Sequence, residues 1–249
     1  MLQASGLVKS FGGFQALAGC SLEIARQSIT GIIGPNGAGK STLFNVLGGL
    51  MLPEAGDVTF DGRSILRLRP DERARIGVVR TFQISRELGE LTVLENMLLA
   101  APHQYGEALW RCFLMPSGVR DQERAAVAKA RARLEQVNLW NLANESAKNL
   151  SGGQKKLLEL ARVLVMDPSL ILLDEPVAGV NPTLSLKILS LIEDLRKSGK
   201  TFFLIEHDMN VVFNRCDRVI VMHQGRVIAE GKPAEVRAHP AVLESYLGG

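Results

Sequence analysis

Cysteine is scarce in this sequence. Only Cys20, Cys112 and Cys216 occur among 249 residues; they are far apart, show no Cys-x-x-Cys spacing and are odd in number. That argues against a disulfide framework or a cysteine zinc site and fits reduced thiols in the cytosol. Long hydrophobic runs are missing too. Nowhere do about 18 uncharged apolar residues follow one another, the length a spanning helix needs. The opening MLQASGLVKSFGG lacks the apolar stretch of a secretion signal. The chain is therefore expected to reach a membrane only by docking to something that spans it. Nor is one sign of charge in excess. The net charge is +3, with basic residues spread along the chain, too little to argue for a nucleic-acid partner. What remains is 46% hydrophobic and 22% charged residues, the balance of a folded domain that buries its own core. The length suits one large domain or a domain with a subdomain.

Strand-like and helix-like stretches alternate at both ends of the chain. SITGIIGP (28–35) reads as a buried strand running into a helix at 42–50. Further strands are expected at 57–62, 77–83, 169–175 and 200–208, with an amphipathic helix at 182–198. Residues 217–222 and 226–231 read as a hairpin turning at 223–225. Such alternation predicts an α/β fold with a mostly parallel sheet covered by helices. Between Leu91 and Ala161 the pattern is helical throughout, interrupted at 102–121 by Pro102, Pro116 and Gly118, an insertion with its own short helix.

The strand at 28–35 feeds Gly34, Pro35, Asn36, Gly37, Ala38, Gly39, Lys40 and Ser41, which fit G-x-x-x-x-G-K-[ST] at every fixed position. Gly34, Gly37 and Gly39 let backbone approach a phosphate closely. The loop N–H groups and the following helix N-terminus form an anion cradle. Lys40 supplies a charge for the β- and γ-phosphates, Ser41 a hydroxyl for Mg²⁺, and Thr42 a hydroxyl near the α-phosphate. A plain glycine turn would explain the glycines and serine, but not a lysine in this register.

A P-loop ATPase also needs an apolar strand ending in Asp. Leu170 to Asp174 is that strand, and Glu175 follows at once. Asp174 is expected near Mg²⁺, and Glu175 is expected to polarise the water that attacks the γ-phosphate. Two solvated acids at a strand end would be unremarkable alone; with Lys40 in the same chain they gain weight.

Leu150, Ser151, Gly152, Gly153 and Gln154 stand before a helix, about twenty residues ahead of Asp174. Ser151 suits a helix cap, but a cap alone does not call for two glycines and a glutamine. The segment matches the signature of the ATP-binding cassette family, and nearly the whole chain resembles that family. The resemblance implies a P-loop ATPase fold with a mixed-sheet core (1–84 and 162–249) and an inserted helical subdomain (85–161) carrying the signature. It places Phe11 at the adenine-stacking position, with Phe14 a weaker candidate. It makes Gln83 a contact of Mg²⁺ and the attacking water, and His207 the γ-phosphate switch. Asn181 stands where most members carry aspartate.

GVVRTFQ, LTVLENMLLAA, LWRCFLMPSG, DEPVAGVNP and the terminal VLESYLGG look like the ATPase subunits of branched-chain amino acid importers. Lipopolysaccharide-export cassettes are similar at two of these places, and urea or amide importers remain alternatives, as does a soluble cassette protein unlinked to transport. The resemblance further implies ATP and Mg²⁺ as ligands and a second ATPase subunit, identical or related, clasping ATP at the interface. Two permease subunits and an external binding protein would complete the system, at the cytoplasmic face of the cell membrane.

Overall fold

The computed structural model describes residues 1–81, 88–102, 116–240 and 242. Gln83, Cys112, most of the 102–121 insertion and nearly all of the terminal VLESYLGG lie outside them. Contacts divide the chain into two compact units: Met1–Arg80 with Ser169–Ala178 and Leu186–Gly249, and Thr81–Pro168 with Gly179–Ser185.

The first unit is built on two sheets. The larger has six strands in the order β10-β9-β3-β8-β7-β6. These are β3 (Ile29–Ile33), β6 (Val78–Arg80), β7 (Leu170–Asp174), β8 (Thr201–Ile205), β9 (Arg218–His223) and β10 (Arg226–Gly231). Every residue of β3, β7 and β8 is buried. That is why they read as unbroken apolar runs: a parallel strand covered on both faces has no solvent side to mark. The pairs among β6, β7, β8, β3 and β9 are parallel, and β10 closes the edge antiparallel to β9. The expected mostly parallel sheet and hairpin are both present.

A second, four-stranded antiparallel sheet joins β1 (Leu2–Phe11), β2 (Phe14–Ile24), β4 (Ala55–Phe60) and β5 (Arg63–Ser64) in the order β2-β1-β4-β5. Helix α1 (Lys40–Leu47) follows β3 and buries Leu43, Phe44, Val46 and Leu47. Its Phe44 ring packs on Phe203 of β8, centroids 4.9 Å apart.

Short helix α2 (Pro70–Arg75) carries Arg73, whose side chain is completely buried. The guanidinium donates to the carbonyls of Val46 (2.7 Å) and Leu47 (2.6 Å) at the end of α1, and to those of Leu66 (2.9 Å) and Leu68 (3.0 Å). Carbonyls at a helix C-terminus run out of intrahelical donors; Val46 O also accepts from Gly49 N (3.1 Å) just past the helix, and a cation there meets the negative end of the helix dipole.

The second unit holds α3 (Val93–Ala100), α4 (Pro116–Gln136) and α5 (Gly152–Val165), which pack on one another. Thr92 caps α3 through a reciprocal bond with Glu95. The buried Asn96 ties α3 to the preceding loop, accepting from Leu88 N (2.9 Å) and donating to Leu88 O (3.0 Å). The expectation of helix throughout Leu91–Ala161 needs correction. Between α4 and α5 the chain runs through 3-10 turns at Trp140–Leu142 and Ala147–Asn149, with Asn138 left-handed (φ 58°). Asn tolerates that conformation because its short amide bonds locally, so it stops a helix that composition alone would continue. Helix α6 (Pro182–Lys197) starts within the Gly179–Ser185 stretch and runs on into the first unit, which α7 (Met209–Arg215) and α8 (Pro233–Arg237) complete.

Candidate functional site

The loop between β3 and α1 is shaped by its glycines. Gly34, Gly37 and Gly39 have φ of 151°, 79° and 100°. A Cβ at Gly34 would collide with the Met222 carbonyl, and one at Gly39 with the Ala16 carbonyl; at Gly37 it would meet open space. The loop is braced from beneath by the β9–β10 turn: Gly225 N donates to Ala38 O (3.0 Å), and Gly225 O accepts from Ala18 N (2.9 Å).

No side chain caps the N-terminus of α1, where Gly39 takes the cap position. The first-turn N–H groups of a helix lack intrahelical acceptors, so those of Lys40, Ser41 and Thr42 are available to an anion. Lys40 itself is 6% exposed. Its Nζ donates to Gly34 O (2.6 Å) and Pro35 O (2.9 Å), folding the ammonium over the loop. Burial holds its pKa below the ordinary lysine value, opposed by the negative charges of Glu175 and Asp174.

Those two acids leave β7 in different directions. Asp174 ends the strand and is 6% exposed. Its Oδ2 accepts from Arg80 Nη2 at 2.9 Å. Glu175 adopts φ 49°, left-handed for a non-glycine residue, a conformation costing roughly 1–2 kcal/mol. Its N–H bonds Ile205 O (3.0 Å), and its Oε1 lies 2.9 Å from Nε2 of His207, just beyond β8. Lys40, Asp174, Glu175 and His207 thus converge in the first unit at the carboxyl ends of β3, β7 and β8. Ligands of open α/β sheets bind at that end of the strands.

Glu206, between β8 and His207, was not singled out from the sequence; an acid inside the apolar run FFLIEH was the available signal. It is 3% exposed and accepts from Val177 N and His207 N, both at 3.3 Å. Burial pushes its carboxyl up to about 7; the two N–H bonds oppose this, and the charges of Glu175 and Asp208 add to it. The folded state keeps a proton that the unfolded chain, near its ordinary value of 4.5, has already lost. Stability should therefore fall as pH rises from about 4.5 to about 7, by up to about 3 kcal/mol. Glu206→Gln should flatten that decline, measured as denaturant midpoints at pH 5 and pH 8. An equally steep decline in the variant would assign it to other groups.

Phe11 and Phe14 face each other across the tip of the β1–β2 hairpin as a register pair. Phe11 is 46% and Phe14 57% exposed, and Lys9 Nζ sits 5.7 Å from the Phe11 ring centroid. The hairpin thus presents two aromatic rings to solvent, and neither is a core residue.

In the second unit Ser151 caps α5. Gln154 N donates to Ser151 Oγ (3.3 Å), and Ser151 N donates to Gln154 Oε1 (2.8 Å). This corrects the sequence argument: the reciprocal cap alone accounts for both Ser151 and Gln154. The glycines are different. A Cβ at Gly153 would strike the end of Leu184, whereas one at Gly152 would meet open space. Asn181 also has a local role, its Oδ1 accepting from Leu184 N (2.9 Å) ahead of α6. Asn and Asp cap about equally well, so the change from the usual aspartate keeps the cap.

Residues 17–178 match the family model of the ABC transporter. The chain belongs to that family. Residues 226–249 match a second model, the branched-chain amino acid ATP-binding cassette transporter. The cassette is 44% identical over 249 residues to the probable branched-chain amino acid transport ATP-binding protein LivG of Archaeoglobus fulgidus, covering 100% of this chain and 95% of the relative. Its fold is similar to a nucleotide-free ATP-binding cassette from an ABC transporter, with TM-score 0.86, 40% identity and coverage of 100% and 99%. It also resembles a dimeric cassette in a post-hydrolysis state bound to ADP and phosphate, with TM-score 0.76, 28% identity and coverage of 94% and 99%.

The residues present suit a magnesium nucleotide. An uncapped helix start and a lysine address phosphate. No cluster of three or more His, Cys, Asp or Glu side chains that could hold a metal occurs among the described residues. Mg²⁺ typically takes one or two protein oxygens and completes its shell with phosphate and water. Ser41 at the start of α1 and Asp174 at the end of β7 are of that kind.

Proposed function

We propose that this chain is the ATP-binding and ATP-hydrolysing subunit of a transporter that imports branched-chain amino acids or related small amino acids and amides. The observation that carries the ATPase reading is the meeting of Lys40, Asp174, Glu175 and His207 at one end of the sheet. The cargo reading is supported by the full-length similarity to LivG and by the match of residues 226–249. Among the described residues no helix is long and apolar enough to cross a membrane. The similarity to LivG supports a cassette that works on spanning permease subunits, at the cytoplasmic face, with an external binding protein delivering cargo.

Lys40 exchanges its two loop carbonyls for the β- and γ-phosphates. The amides of residues 36–42 surround the phosphate chain, and Phe11 stacks on adenine. Ser41 and Asp174, with Gln83 by the family resemblance, would hold Mg²⁺, which when bound would neutralise phosphate charge and polarise the γ-phosphoryl group. Glu175 takes the proton of the attacking water, and His207, hydrogen-bonded to Glu175 through Nε2, orients toward the γ-phosphate. Acceleration comes from positioning and charge, with no covalent enzyme intermediate.

A second cassette completes each site. Ser151, Gly152 and Gly153 of one subunit close on ATP held by Lys40 of the other. The open space over Gly152 supports this, because nothing among the described residues requires that position to lack a side chain. The solved dimeric cassette with ADP and phosphate supports the pairing.

Lys40→Ala is expected to weaken nucleotide binding by roughly ten- to a hundredfold, the worth of losing charged hydrogen bonds to phosphate. Titration with a fluorescent ATP analogue checks it; parental affinity would remove Lys40 from the phosphate site and with it this reading.

A further inference from the structure

Asp174 gives one carboxylate oxygen to a residue that no motif requires. Arg80 stands on β6, opposite Leu172 of β7 in the parallel pairing. Its Nη2 donates to Asp174 Oδ2 at 2.9 Å, and the two side chains are only 9% and 7% exposed. Its Nη1 donates to Asn45 Oδ1 of α1 at 2.6 Å. The guanidinium carbon also lies 5.6 Å from the ring centroid of Phe44 on the same helix.

A buried carboxylate needs compensation, and any cation would supply charge. Arg80 supplies more than charge. Its planar fork spans two partners on different elements: the end of the strand that carries Asp174, and the helix that begins with Lys40 and Ser41. One guanidinium thereby fixes the rotation of the Asp174 carboxylate relative to α1. A lysine could neutralise the acid but not bridge in this way.

We propose that Arg80 is a positioning residue for metal handling: it acts through Asp174 and Asn45 to set how the site responds to Mg²⁺. The proposal rests on the reading of Asp174 as a Mg²⁺ residue. Groups that orient a metal-binding carboxylate typically change metal affinity or activity ten- to a hundredfold when removed.

The test measures binding of a fluorescent ATP analogue to the full-length chain, in EDTA and across a Mg²⁺ titration. Arg80→Met should bind nucleotide in EDTA within about twofold of the parent, while the Mg²⁺ concentration giving half the metal-dependent gain in affinity rises about tenfold. Arg80→Lys should fall between the two, and Asn45→Ala should shift the same way by less. Asp174→Asn is the control and should lose the Mg²⁺ response. If it keeps the parental response, the assignment of Asp174 fails whatever Arg80 does. If Asp174→Asn loses the response and Arg80→Met keeps it, the role of Arg80 fails. An equal loss of affinity for Arg80→Met in EDTA and in Mg²⁺ also overturns it, reducing Arg80 to a structural counter-charge. Should Arg80→Met not fold, parental Mg²⁺ titrations for both Arg80→Lys and Asn45→Ala would overturn it equally.

Discussion

Glu175→Gln is expected to bind ATP with parental affinity and to hydrolyse it about 10³-fold more slowly, within the range lost with a general base. The amide keeps the size of the side chain and an oxygen acceptor for His207, so the 2.9 Å contact survives while the proton acceptor is gone. With hydrolysis stopped, the γ-phosphate continues to gather contacts from two subunits, and a dimer should accumulate in ATP that disperses in ADP. Phosphate release and light scattering on the same sample read both effects. Full turnover in the variant would take the base role from Glu175. Slow turnover without a dimer would leave the base role and overturn the sandwich.

The second large effect concerns stability. Arg73→Met should cost about 3–4 kcal/mol, because carbonyls of α1 and of the loop before α2 lose a buried charged donor that water cannot replace. For a protein of this size that is a fall in melting temperature of roughly 10 °C. Burial pushes the Arg73 guanidinium down to about 10, so it stays charged at neutral pH. Arg73→Lys should recover part of the loss, having the charge but fewer donors to spread over four carbonyls. Calorimetry of the three proteins settles it; a methionine variant melting with the parent would mean those carbonyls find other donors. Because α1 opens with the phosphate-binding residues, the anchor at its far end also keeps that helix seated.

Much of the fold was legible because its central strands are simple. Ile29–Ile33, Leu170–Asp174 and Thr201–Ile205 are apolar without interruption, and burial on both faces is what such runs mean. The phosphate loop was legible for a stricter reason: two of its three glycines leave no room for a Cβ against neighbouring carbonyls. Of the antiparallel sheet only β4, expected at 57–62 and found at Ala55–Phe60, was legible; β1 and β2 were not. The register of β1 against β2 shifts between Ala4 and Leu7, between Leu7 and Val8 and between Lys9 and Ser10, so its alternation loses phase before it can be recognised. Arg80 and Glu206 escaped notice because each is a polar residue at the end of an apolar run, where an exposed strand end is the ordinary reading. What they do depends on partners far away in the chain, Asp174 and Val177. The cap that Gln154 forms with Ser151 three residues back was not legible either, because the signature match already accounted for both residues.

The left-handed backbone at Glu175 separates two neighbouring acids without disturbing the layer beneath them. On a continuing strand, successive side chains alternate between sheet faces, and every residue of β7 is buried. One torsion at 49° turns the chain off the strand at Glu175, whose side chain is 18% exposed. The chemistry can therefore be altered at position 175 by point substitution while Leu170, Ile171, Leu172 and Leu173 keep their interior neighbours, so loss of turnover there need not bring loss of folding.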